Sequence, residues 1–136
     1  MKILITGGLG HIGSYLLENI DKIKFIKKIY VIDNFSTNRY CSLFNLAKTD
    51  KRIYFYQKDL AVSNALKNFK KVDIVINLAS LTDAEGSLNI KREIYRNNLG
   101  IFRNILKYCK KNSSKLIHIS STSVYGEQKG LVDESC

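Results

Sequence analysis

Gly7, Gly10 and Gly13 follow directly on the run Lys2-Ile3-Leu4-Ile5-Thr6 and lead into Ile12, Leu16, Leu17 and Ile20 at helical spacing. Glycine at these intervals suits a backbone that must come close to a phosphate. The first permits a tight turn out of a strand, and the second removes a Cβ that would meet a ligand. The third lets a helix pack against the strand it follows. A helix starting here aims unpaired N–H groups and the positive end of its dipole at the space above Gly10, and a pyrophosphate fits that space. A carboxylate completes the pattern. Ile29-Tyr30-Val31-Ile32 ends in Asp33, twenty residues beyond Gly13, where an acid hydrogen-bonds ribose hydroxyls and repels a 2′-phosphate. Glycine turns without a ligand are common, but they lack a strand before, a helix after and an acid closing the next strand.

These residues need a scaffold, and the apolar pattern supplies one. Strands are predicted at 2–6, 28–33, 52–57, 72–78 and 115–120, and helices at 11–20, 42–48, 62–70 and 88–111. Strands alternating with helices predict a parallel sheet built from right-handed βαβ units. The long helix carries two apolar stripes. Tyr95, Leu99, Phe102, Leu106 and Cys109 form one; Ile94, Ile101, Ile105 and Tyr108 form the other. That is wider than one sheet-facing stripe requires, and it reads either as deep burial or as a subunit interface.

With 136 residues, 45% apolar and 25% charged, the chain has the size and make-up of one globular domain. No apolar run approaches the ~20 residues of a membrane span, and the start lacks a secretory pattern. The expected location is cytoplasmic, with no membrane partner. Cys41, Cys109 and Cys136 are widely spaced, without a C-x-x-C, so neither a metal site nor a disulfide framework is expected. The net charge is +10, from seventeen Lys and five Arg against twelve acids. Lysine is the weaker choice for bidentate phosphate or base recognition. The basic residues gather around helix ends and connections, so a solvated surface is expected in preference to a nucleic-acid partner. A polyanion-binding face is the alternative.

The motifs together resemble the extended short-chain dehydrogenase/reductase family, in particular its NAD-dependent sugar epimerases and dehydratases. Thr6-Gly7-Gly8-Leu9-Gly10-His11-Ile12-Gly13 is similar to the family's T-G-x-x-G-x-x-G. The resemblance implies cofactor contacts from Gly7, Gly10, His11, Ile12 and Gly13, with His11 offering its backbone N–H. It places Asp33, Asn34, Phe35 and Ser36 at the adenosine ribose and Asp59 and Leu60 along the adenine. Leu78, Ala79 and Ser80 follow strand four beside the nicotinamide half, and Asn97 lies near the start of the long helix. Ile119-Ser120-Ser121-Thr122-Ser123-Val124-Tyr125-Gly126 resembles the end of strand five, which gives the catalytic hydroxyl to Ser121. Local roles stand beside these. Asp33 and Asp59 can cap turns, Asn97 can be an ordinary polar helix residue, and Ser121 can satisfy backbone at a strand end.

The fold implied is α/β, a Rossmann-type doubly wound parallel sheet in order 3-2-1-4-5, truncated after the fifth strand. Residues 1–136 would be an incomplete NAD-binding domain lacking the substrate-binding lobe. The cofactor implied is NAD, the substrate a nucleotide sugar oxidised transiently by hydride transfer, and the complete protein a homodimer. Departures exist. Ile101-Phe102 replace a Gly-Thr, the ribose segment runs on to Asn38 without a glycine, and His11 stands where an aromatic is common. The family's Tyr-x-x-x-Lys, whose Lys lowers the Tyr pKa for proton transfer, is matched here in spacing alone. Tyr54 with Lys58 falls on a strand, where i and i+4 do not meet as they do on a helix, and Tyr125 with Lys129 spans Gly126. The chain by itself is therefore expected to be inactive. A non-catalytic NAD-binding fragment and a polyanion-binding module are the alternative readings.

Overall fold

The structure is a computed structural model that describes residues 1–44, 52–82, 88–121, 125, 126, 130, 132 and 133. Five strands form one sheet: β1 (Lys2–Thr6), β2 (Lys28–Asp33), β3 (Ile53–Gln57), β4 (Ile74–Asn77) and β5 (Lys115–His118). Their order is β3-β2-β1-β4-β5, and every neighbouring pair is parallel. This is the Rossmann-type arrangement that the alternation of apolar runs implies.

Alternation along each strand sorts the apolar residues onto two faces. Ile3, Ile5, Ile29 and Val31 pack with Leu17 and Ile20 of the first helical segment, α1 (His11–Asn19) and the 3-10 turn Ile20–Lys22. Leu4, Tyr30, Ile32 and Val75 pack on the other face with Ile101, Ile105, Tyr108 and Cys109 of the long helix α2 (Leu88–Asn112). One of the two sequence stripes is thus core. The other is less covered: Leu99, Phe102 and Leu106 are half-buried and Tyr95 is exposed. On β5, Ile117 and, just beyond it, Ile119 are about half exposed (48% and 50%).

The expected helix over 62–70 does not form. Three short turns replace it, closed by N–H bonds from Ala65 to the Val62 carbonyl (3.2 Å), Lys67 to Asn64 (2.9 Å) and Phe69 to Leu66 (3.1 Å). Asn64 has φ +60°, a left-handed conformation that interrupts an α-helix but that Asn tolerates. The apolar residues still reach the core, with Leu66 buried and Phe69 packed against Tyr30 and Tyr56. Residues 41–44 are helical. The rest of the short helix expected over 42–48 lies outside the described residues.

Parallel strands also bring the basic connections together. Each strand starts at one edge of the sheet and each helix returns there. Lys2 pairs in register with Lys28, and Arg52 donates to the carbonyls of Ile23 (3.0 Å), Ile26 (2.6 Å) and Ile20 (3.4 Å), holding the end of the α1 segment against the start of β3. Lys2 and Lys28, far apart in sequence, therefore meet at this edge.

Candidate functional site

The opposite edge, where the strands end, carries a groove. β1 runs into Gly7, whose φ of +68° belongs to the left-handed region. A Cβ there would lie 2.7 Å from the backbone of Ala79, so only glycine turns the chain this close to the β4 exit. The turn is held by the Gly10 N–H to the Gly7 carbonyl at 3.1 Å. At Gly13 a Cβ would come within 2.5 Å of the Gly7 carbonyl oxygen and 2.7 Å of Gly8 Cα. This glycine lets α1 start directly on the turn. At Gly10 a Cβ would meet only the Gly7 oxygen, at 3.2 Å, and its open side faces the groove. Gly10 is the N-cap of α1; its first turn holds no acid, and among the described residues no side chain caps it. Its leading N–H groups remain available for an anion.

Asp33 ends β2 beside this turn. Its Oδ2 accepts the Leu9 N–H (3.0 Å) and its Oδ1 the Phe35 N–H (2.9 Å). Gly7, Gly10, Asp33, Asn34, Ser36 and Thr37 form one end of the groove, with Lys58, Leu60 and Ile101 across from them. Asn97 projects from α2 into this end. Its Oδ1 is buried and, among the described residues, has no hydrogen-bond partner. An orphaned acceptor of this kind is costly unless a ligand supplies the donor. The next residue, Asn98, is engaged at both ends of its amide: Oδ1 accepts the Leu81 N–H (2.8 Å) and Nδ2 donates to the Leu81 carbonyl (2.9 Å). It clamps the loop after β4 to α2.

The other end of the groove shares Gly7, Gly10, Leu78, Ala79 and Ser80 with the first and continues past His11, Ile12 and Gly13 to His118, Ser120 and Ser121. A polar chain underlies it, buried at Thr6 and Asn77 and exposed at His118. Thr6 Oγ1 donates to Asn77 Oδ1 (2.7 Å), which also accepts the Ala79 N–H (3.2 Å). Asn77 Nδ2 therefore faces His118 Nδ1 at 2.9 Å and donates to it, which leaves the imidazole proton on Nε2. Phe102 covers the same ring, with centroids 4.9 Å apart.

Of the residues singled out from sequence, Gly7, Gly10, His11, Ile12, Gly13, Asp33, Asn34, Ser36, Leu60, Leu78, Ala79, Ser80, Asn97 and Ser121 all line this groove. Two do not. Asp59 is exposed and its Oδ1 caps the Ala61 N–H at 2.8 Å, so Lys58 and Leu60 form that wall. Phe35 stacks on Tyr40 (4.6 Å) and tilts against Phe55 (5.4 Å). Sequence reasoning did not single out Thr37, Lys58, Leu81, Asn98, Phe102 or His118. Position supplied a signal for some: Lys58 follows a strand and His118 ends one.

The sequence model of the NAD dependent epimerase/dehydratase family matches residues 3–136. The chain is 34% identical to the dTDP-D-glucose 4,6-dehydratase of Dictyostelium discoideum, over 98% of this chain and 31% of that protein. It is also 34% identical to the UDP-glucose 4-epimerase of Yersinia enterocolitica, over 93% of this chain and 39% of that one. Among solved structures it superposes on a mutant UDP-glucuronic acid 4-epimerase from Bacillus cereus, held in complex with a fluorinated UDP-sugar and NAD. The TM-score is 0.85 and the identity 31%, covering 98% of this chain and 44% of that one. The chain spans less than half the length of each of these relatives. A glycine turn on an uncapped helix, an acid closing β2 and a match over nearly every residue agree: the chain belongs to the NAD dependent epimerase/dehydratase family.

Proposed function

We propose that these residues are the NAD-binding part of a nucleotide-sugar epimerase or dehydratase. The observation that carries the reading is the uncapped start of α1 facing the same groove as the Asp33 carboxylate and the orphaned Asn97 Oδ1. The N–H groups of His11, Ile12 and Gly13 would hold the pyrophosphate, and Asp33 the adenosine ribose. Leu60 and Ile101 would flank the adenine, and Asn97 would accept a hydrogen bond from the ligand. Bound NAD supplies the hydride acceptor for a sugar carbon. Leu78, Ala79 and Ser80 would position the nicotinamide half, and the Ser121 hydroxyl would hydrogen-bond the reacting sugar hydroxyl. Asp33 disfavours a 2′-phosphate, because like charges would meet in a partly enclosed site.

The half-covered face of α2 and β5 would join a second helix, and through it a second subunit, in the homodimeric protein. The 136-residue polypeptide tested alone would bind NAD without turning over nucleotide sugars, since among the described residues no base is placed to take the hydroxyl proton. Loss of such a base costs ~10²–10⁴-fold in rate. Calorimetric titration with NAD and NADP at low and high salt tests the binding. NAD should bind more tightly at both, and equal or tighter NADP binding at high salt would refute the role of Asp33. Turnover of UDP-sugars at the rate of a full-length epimerase would refute the inactivity.

A further inference from the structure

We propose that the edge of the sheet opposite the groove is a docking surface for an anionic lipid membrane, with Phe25 as its inserting side chain. The parallel topology makes this edge. Lys2 and Lys28 begin adjacent strands in register, Lys71 precedes β4, and Lys22, Lys24 and Lys27 follow α1; all six are exposed. Backbone bonds join these segments into one surface. The Lys27 N–H donates to the Met1 carbonyl (2.7 Å) and the Asp73 N–H to the Lys2 carbonyl (2.9 Å). Among the described residues the acids here are outnumbered: Asp73, whose Oδ2 accepts the Lys2 backbone N–H at 2.6 Å, Glu18 in the last turn of α1 and Asp21 in the 3-10 turn stand against six lysines.

Phe25 stands among these lysines and is 68% exposed. Its display is built into the turn. Ile26, its neighbour, is buried at 4%, the Ile26 N–H reaches the Ile23 carbonyl, and Arg52 grips both the Ile23 and Ile26 carbonyls. With Ile26 pinned inward, Phe25 is held in water. A large apolar ring fixed in water, with the exposed Lys24 and Lys27 beside it in the same turn, matches a layer of anionic headgroups over acyl chains. The ring enters the apolar boundary while the lysines neutralise lipid phosphates.

A nucleic-acid strand would ask for something else, a row of rings for stacking along a basic track. Tyr54, the exposed ring beside Lys28, is instead engaged by Tyr30 (centroids 5.7 Å apart) and by the Lys28 ammonium (5.7 Å). Docked in this way, the molecule would keep its groove turned to the aqueous side.

Partition of the chain onto vesicles of phosphatidylcholine with phosphatidylserine, against phosphatidylcholine alone, tests this by sedimentation. Binding should require the anionic lipid and fall with salt. Lys24→Ala and Lys27→Ala should each weaken partition about fivefold, and Phe25→Ser about tenfold or more. Val62→Ser, at an exposed position in the turns over 62–70, should leave it unchanged, and thermal melting should verify that all variants fold. Equal binding to both vesicle types, indifference to the Phe25 and lysine substitutions, or a loss caused by Val62→Ser would overturn the proposal. So would tighter binding to single-stranded polyuridylate than to the anionic vesicles at the same salt.

Discussion

The Asp33 carboxylate accepts the Leu9 backbone N–H through Oδ2 at 3.0 Å, tying the glycine turn to the end of β2. One side chain thus shapes the phosphate turn and sets the charge of the ribose end. Asp33→Asn keeps one carbonyl acceptor and sets an NH₂ group against the second N–H. The variant should lose about 1–3 kcal/mol of stability, read by urea unfolding. It should also narrow the gap between NAD and NADP affinity. An unchanged NAD:NADP ratio would show that the carboxylate acts only on the turn.

The glycines should separate folding from binding. Gly13→Ala forces a Cβ to within 2.5 Å of the Gly7 oxygen, so it should destabilise the domain by about 1–3 kcal/mol as overpacking does. Gly10→Ala meets a single atom at 3.2 Å and should melt near the wild-type temperature while binding NAD less well. Calorimetry beside thermal melting distinguishes the two, and identical profiles would contradict the geometry.

Burial of Cys109 raises its thiol above the ordinary value of 9.0, and burial raises the Tyr108 hydroxyl above 10.0. That hydroxyl donates to the Lys70 carbonyl (2.6 Å) and accepts the Val72 N–H (3.1 Å). Both groups hold their protons more tightly when folded. Their contribution to stability is complete below the unfolded pKa values and declines as pH rises through that range, where the unfolded chain ionises first. Urea midpoints should therefore fall as pH rises past about 9 and go on falling beyond about 10, and Cys109→Ala should flatten the earlier part of the decline.

Tyr95, Ile117 and Ile119 present apolar surface on α2 and at the β5 end of the sheet. Parallel sheets are normally covered on both faces, so the 136-residue chain should self-associate. Tyr95→Ser with Ile119→Thr should shift light scattering towards the monomer. A monodisperse wild-type monomer would show that this surface needs no partner.

Most of the architecture was legible because glycine spacing and strand alternation report directly on backbone geometry. The turn at 62–70 was not. Its apolar spacing mimics a helix, while the left-handed Asn64 that breaks it leaves no trace in periodicity. Groove residues close to β-strand ends were readable for the same reason as the strands. A carboxylate just after a strand, as at Asp59, is equally suited to a ligand and to capping the next turn, and its Oδ1 makes the cap. Asn98 escaped notice because its use, a two-point clamp on Leu81, joins positions seventeen apart.

Thr6, Asn77 and His118 stand side by side on β1, β4 and β5, and their hydrogen-bonded chain, buried at Thr6 and Asn77, bears on how the sheet assembles. β4 docks beside a strand 71 residues earlier in the chain, and its apolar residues would tolerate a slip against β1 far better than a polar one would. Sliding β4 by one position would move Asn77 away from the Thr6 hydroxyl and strand both in an apolar layer. The polar trio thus acts as an alignment key: it contributes little adhesion, yet it admits a single register, the one that sets the loop after β4 opposite the glycine turn.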